Sequence, residues 1–174
     1  MTTKEELLAR FYDNHKELVD YVDALDEDAY LLSVNEKWTA GQQLAHVHLC
    51  LLPIHKALQS KEYIKEKFGA LNRPTRNYEE LIAYYKEGLN AGGKAPERFL
   101  PEAVVLDSRV QVSQDLMGIT ATVQKQLEDY TEEELDTLVL PHPFLGMLSL
   151  RELFFLMTYH ATHHLRQVQD SLVG

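Results

Sequence analysis

Five times along the chain a residue that can cap a helix stands three places before a Glu or Gln: Thr3 with Glu6, Thr39 with Gln42, Asn77 with Glu80, Thr131 with Glu134 and Ser149 with Glu152. In each pair one side chain satisfies a backbone N–H that the first helical turn leaves without a partner, and the other reaches back to do the same. Five such starts, with apolar residues at helical spacing after them, restrict the chain to a helical fold. Leu7, Leu8, Phe11, Leu18, Tyr21, Val22 and Leu25 form a stripe that predicts a first helix from about Lys4 to Leu25. A second helix starts after Thr39 and is expected to continue to Phe68, kinked near Leu49 to Pro53 because Pro53 lacks a backbone donor.

A turn-rich stretch from Asn72 to Asn77 leads to a short helix, Tyr78 to Asn90, ended by Gly92-Gly93. Asp107 or Ser108 can cap a third long helix reaching Tyr130, with Val112, Leu116, Ile119, Val123 and Leu127 facing inward. Thr131 to Leu138 forms at most a short acidic helix. The prolines and glycine of Pro141 to Gly146 rule out regular helix there, so this segment reads as a loop. Ser149 then caps the last helix, in which Leu153, Leu156, Met157, His160, His164 and Val168 share one stripe. Little strand pattern appears, and the fold expected is all-α: a four-helix bundle over residues 1–174 as one domain, with a short extra helix between the second and third long ones.

At 174 residues the chain is long enough to bury a core without a disulfide or a structural metal, so a metal bound here would serve function. Its one cysteine, Cys50, has no partner within the chain and reads as packing between helices. Met1 leads into polar Thr2 to Glu6 rather than a basic stretch and an apolar core, and no apolar run approaches the roughly 20 residues that span a bilayer. A cytoplasmic location without membrane contact is expected. The formal net charge of -10 opposes binding to a phosphate backbone. Apolar aromatic helices, with the pairs Tyr84-Tyr85 and Phe154-Phe155, would serve either a core or an interface.

The chemistry-bearing feature is Tyr159-His160-Ala161-Thr162-His163-His164. At about 100° per residue, His160 and His164 lie roughly 40° apart on adjacent turns, so both imidazoles can reach one cation. A stable centre needs a third ligand from elsewhere. On the second helix His48 and His55 lie about 20° apart, while His46 points some 160° from His48. The leucines there slightly favour the side of His48 and His55. His163 can replace a ligand, line a pocket or bond elsewhere, and His142, in a loop, can touch a ligand. His15 and His55 read as structural. Trp38 anchors the start of the second helix, Glu152 completes the cap with Ser149, Arg151 faces solvent, and Gln167 is placed to hold a ligand imidazole.

Trp38-Thr39-Ala40-Gly41-Gln42-Gln43-Leu44-Ala45-His46, Asn72-Arg73-Pro74, Pro141 to Glu152 and the final histidine run together resemble the DinB-like superfamily over nearly the whole chain. That resemblance implies a four-helix bundle, often dimeric, with three histidines around a divalent metal. The histidine eight places after the tryptophan corresponds to His46, and the pair on the last helix to His160 and His164; His48 is the reserve. Zinc leads narrowly, then nickel. Some relatives look like transferases using low-molecular-weight thiols, and others resemble hydrolases or isomerases. The expected function is therefore a divalent-metal-dependent transferase or hydrolase acting on a small molecule, with a homodimer expected. The alternative is a non-catalytic metal or small-ligand binding protein of a stress response.

Overall fold

The computed structural model describes residues 2–173. Its elements run α1 (Lys4–Asp23), α2 (Glu27–Leu31), α3 (Ala40–Ala57), α4 (Lys61–Phe68), α5 (Tyr78–Asn90), α6 (Arg109–Glu128), α7 (Glu132–Thr137), β1 (Val139–His142), β2 (Gly146–Ser149) and α8 (Leu150–Val173). Single 3-10 turns at Glu97–Phe99 and Leu106–Ser108 interrupt the connection from α5 to α6. The four long helices α1, α3, α6 and α8 form the bundle: α1 and α3 each pack against both α6 and α8, and α5 lies along α8.

All five helix starts read from the sequence are present. Thr3, Thr39, Asn77 and Thr131 each make both halves of the capping box. Ser149 Oγ accepts from the N–H of Glu152 at 3.1 Å, while the Ser149 N–H donates to the Glu152 carboxylate at 3.0 Å. Such a cap contributes about 1 kcal/mol. Leu7, Leu8, Phe11, Leu18 and Val22 are buried along α1, as its stripe requires. α8 is different. Every residue from Leu150 to Thr158 is buried, which makes it the central helix of the bundle rather than a one-faced surface helix. Among the described residues no helix is long and apolar enough to cross a membrane.

Three local expectations are corrected. The second long helix passes through Pro53 but stops at Ala57, and a separate α4 begins after Ser60, whose hydroxyl accepts from the N–H of Tyr63 at 3.1 Å. The freed carbonyls at the end of α3 are taken by α6 and the residues after it: Gln126 donates to His55 O at 3.2 Å and the Tyr130 hydroxyl to Leu58 O at 3.0 Å. Secondly, the segment read as a loop before α8 is an antiparallel hairpin, pairing Val139 with Ser149 and His142 with Gly146. A two-stranded ribbon leaves one edge of each strand unpaired, so Pro141 costs no ladder bond, and the opposed Leu140 and Leu148 are both buried. Gly146, at φ 75°, supplies the left-handed residue at the turn.

Thirdly, Arg151 is buried, not solvent-facing: it pairs with Asp136 through Nε at 2.6 Å and with Glu132, and donates to Thr2 O at 3.0 Å. Glu152, fully buried beside it, accepts from Arg73 at 2.5 and 2.8 Å and from the Arg76 N–H at 2.8 Å. This carboxylate ties the long connection before α5 to the first turn of α8.

Candidate metal centre

α3 and α8 face each other across a cavity of about 670 Å³, lined also by Phe99, Tyr85 of α5 and the hairpin residues His142 and Phe144. Its volume suits a small molecule. On its floor three imidazoles converge. His160 Nε2 lies 3.3 Å from His46 Nε2 and 2.9 Å from His164 Nε2. Ring centroids of His46 are 5.1 Å from those of His160 and 4.7 Å from those of His164. All three residues are buried.

The opposite nitrogens fix the tautomers. His46 Nδ1 is 2.7 Å from the carbonyl oxygen of Phe99, which can only accept, so the proton of the neutral ring sits on Nδ1 and Nε2 carries a free lone pair. His164 Nδ1 meets the side-chain oxygen of Gln43, buried one turn before His46, with the same consequence. Burial lowers the pKa of all three, and neighbouring histidines push each down further, which favours the neutral rings. Trp38 covers the group, its ring 4.7 Å from His46 and stacked 6.4 Å from His164. The tryptophan thus does more than anchor the start of α3: its ring packs against two of the imidazoles.

At least two lone pairs therefore point at His160 Nε2, which can offer one proton to them at most. A cation resolves that shortage. Donors held tetrahedrally at Zn–N lengths of about 2.0–2.1 Å lie roughly 3.3–3.4 Å apart, the separation found for His46 and His160 and a few tenths of an ångström more than that of His160 and His164. Two of the three nitrogen pairs are thus spaced for one divalent ion. Cys50 joins two of these histidines: the donor atoms of His46, Cys50 and His160 all lie within 4.8 Å of one another, and these three could hold a metal. Its thiol does not simply pack between helices as expected. Burial pushes that thiol up to about 12, a tendency that coordination to a cation reverses.

The remaining histidines separate cleanly. His48 lies in a different recess, with Leu49 and Asp115, where burial lowers its pKa against the pull of that carboxylate. His55 bonds Gln126 at 3.0 Å. His15 is fully buried on α1, bonded to Phe11 O at 2.6 Å and pushed down to about 4 by burial. His142 lines the cavity beside Phe144 and is likewise pushed down to about 4. His163 also lines it, stacked on Tyr159, and its Nε2 meets Gln167 at 3.0 Å. Gln167 meets His163 and also bonds His164, as the sequence suggests, while Gln43 meets His164 Nδ1.

Replacing Gln43 with leucine is expected to lower metal affinity about 10- to 100-fold by freeing the His164 tautomer, as loss of such outer hydrogen bonds does elsewhere. Gln167→Leu, which removes a lesser bond to the same imidazole, should lower it less. Competition titrations with a zinc-sensitive dye measure both, and equal losses would show that Gln43 does not orient the ring.

No curated protein matches the chain. Residues 10–168 match the family model described as the DinB superfamily, a span that includes the cavity-facing histidines of α3 and α8. The chain belongs to the DinB superfamily.

Proposed function

We propose that this protein is a divalent-metal-dependent enzyme in which His46, His160 and His164 hold one ion, zinc before nickel, at the floor of the cavity. The observation that carries the reading is the convergence of three buried, neutral imidazole nitrogens whose protons are committed on the far side of two of the rings. When bound, such an ion supplies Lewis acidity that brings a coordinated water or thiol to its anionic form near neutral pH. Phe99 and Gln43 keep the rings oriented, and Trp38 packs against those of His46 and His164.

The cavity supports a substrate that is partly apolar and carries negative charge. Tyr85, Phe144 and Met157 give it an apolar wall, and Lys37, Lys56, Lys67 and Arg98 outnumber Glu36 and Asp170 around it, although the chain as a whole is acidic. Local positive charge of this kind raises the concentration of anions at a cleft. The reactions best matched are transfer of a low-molecular-weight thiol to an electrophile and hydrolysis of a small ester or amide.

Tag-free, metal-loaded protein offered a chromogenic aryl halide with a small carboxylated thiol, and separately a nitrophenyl ester, should turn over one of them. Chelation should abolish the rate and zinc or nickel restore it. Loaded protein with no metal-dependent rate on either class would contradict the enzyme reading.

A further inference from the structure

Cys50 follows His46 by one helical turn, so the two side chains leave α3 on the same face, and both line the cavity. Its Sγ lies 3.6 Å from His46 Nε2 and belongs to the cluster of donors that includes His160. Sulfur and nitrogen bound tetrahedrally to one zinc, at about 2.3 and 2.0–2.1 Å, are roughly 3.6 Å apart. A thiol hydrogen bond to His46 would explain that single contact. It leaves unexplained that the sulfur also lies within 4.8 Å of the His160 donor nitrogen.

We propose that Cys50 is a fourth protein donor to the ion held by His46, His160 and His164, so that the resting centre is a His3Cys set. This rests on the three-histidine reading above. Three-histidine catalytic sites keep a position open for water or substrate. In this chain the Cys50 sulfur takes that position in the resting state: on binding, its S–H bond breaks, an Sγ–metal bond forms and the proton leaves to solvent. Cys50 is half-buried on the cavity side, whereas the histidines are buried. A substrate thiol arriving through the cavity would exchange with Cys50: the Sγ–metal bond breaks, the substrate sulfur binds in its place, and the substrate's S–H proton passes to the Cys50 thiolate.

Cobalt(II) substitution separates the two readings, because an imidazole-only site lacks the intense thiolate-to-cobalt charge-transfer absorption in the near ultraviolet. Metal-stripped, tag-free wild type is expected to take up one cobalt per chain and to develop that band with the same stoichiometry. Cys50→Ala should bind cobalt in the same ratio without the band, and Cys50→Ser should behave alike. Full cobalt uptake by wild type with no such band, or a band that survives in Cys50→Ala, overturns the proposal and leaves the histidine site standing. Absence of cobalt uptake by wild type overturns both.

Discussion

Alanine at His160 or His164 should remove stoichiometric metal while leaving the helical circular dichroism signal unchanged. The effect is large because few donors share the binding energy: a zinc site worth on the order of 10 kcal/mol divided among three or four ligands gives roughly 3 kcal/mol to one imidazole, more than a hundredfold in affinity. The fold should survive because both side chains lie within α8, a long helix packed on nearly all sides by Leu, Phe and Met residues that the substitutions do not touch, and alanine is the best helix former. His160→Ala removes the residue whose Nε2 lies 3.3 and 2.9 Å from the Nε2 atoms of the other two, so its loss should be at least as severe as that of His164→Ala. Metal content by plasma mass spectrometry, read beside circular dichroism, measures the result. His48→Ala is the contrasting variant, since His48 lies in a separate recess, and it should retain metal fully.

Replacing Glu152 is expected to be the most damaging change to stability outside the apolar core. Its carboxylate is fully buried, and it accepts from Arg73, from the Arg76 N–H and from the N–H of Ser149. Breaking a buried pair typically costs roughly 3–5 kcal/mol. Here Arg73 and Arg76 keep about a quarter of their side chains in water (29% and 27%) and can reach solvent, so Glu152→Ala should cost about 3 kcal/mol, toward the lower end of that range. The sign with pH follows from the depressed pKa. Burial would raise it, but Arg73 and the two backbone donors outweigh burial and hold it below the usual carboxylate range. The stabilisation is therefore fully present above the ordinary glutamate pKa and is lost as pH falls through the lower, folded-state value. Urea midpoints at pH 7 and below pH 4 should show the gap between wild type and Glu152→Gln narrowing in acid. A gap independent of pH would mean that the carboxylate acts only through its shape.

The helix starts were readable because a capping box is a local device: both partners lie within one turn, and no distant residue has to supply the bond. The breaks between elements were less readable. Ser60 caps α4 without a glutamate or glutamine three places on, and the carbonyls that let α3 stop at Ala57 are satisfied by Gln126 and Tyr130, far along the chain. The hairpin was hidden by Pro141, a residue that argues against a strand except where, as in a two-stranded ribbon, an edge is free.

The same contrast runs through the site. The spacing of His160 and His164 places both on one face of α8, where the structure has them in contact. His46 was favoured only through its place after Trp38, because the apolar arc of α3 is broad enough to bury residues on several sides, from Gln43 and His46 to Leu51 and Ile54. Helical periodicity leaned toward His48, which lies elsewhere. Cys50, Gln43 and Phe99 could not be singled out, since each acquires its role from a partner on another element; Phe99 is 53 residues from the ring it orients.

One divalent ion is expected where His46, His160 and His164 meet. Anomalous diffraction from crystals grown with zinc, collected on both sides of the zinc edge, would locate it. One strong peak per chain is expected about 2.0–2.1 Å from the Nε2 atoms of all three histidines. A peak held by other residues, or none at that point in zinc-saturated crystals, would contradict it.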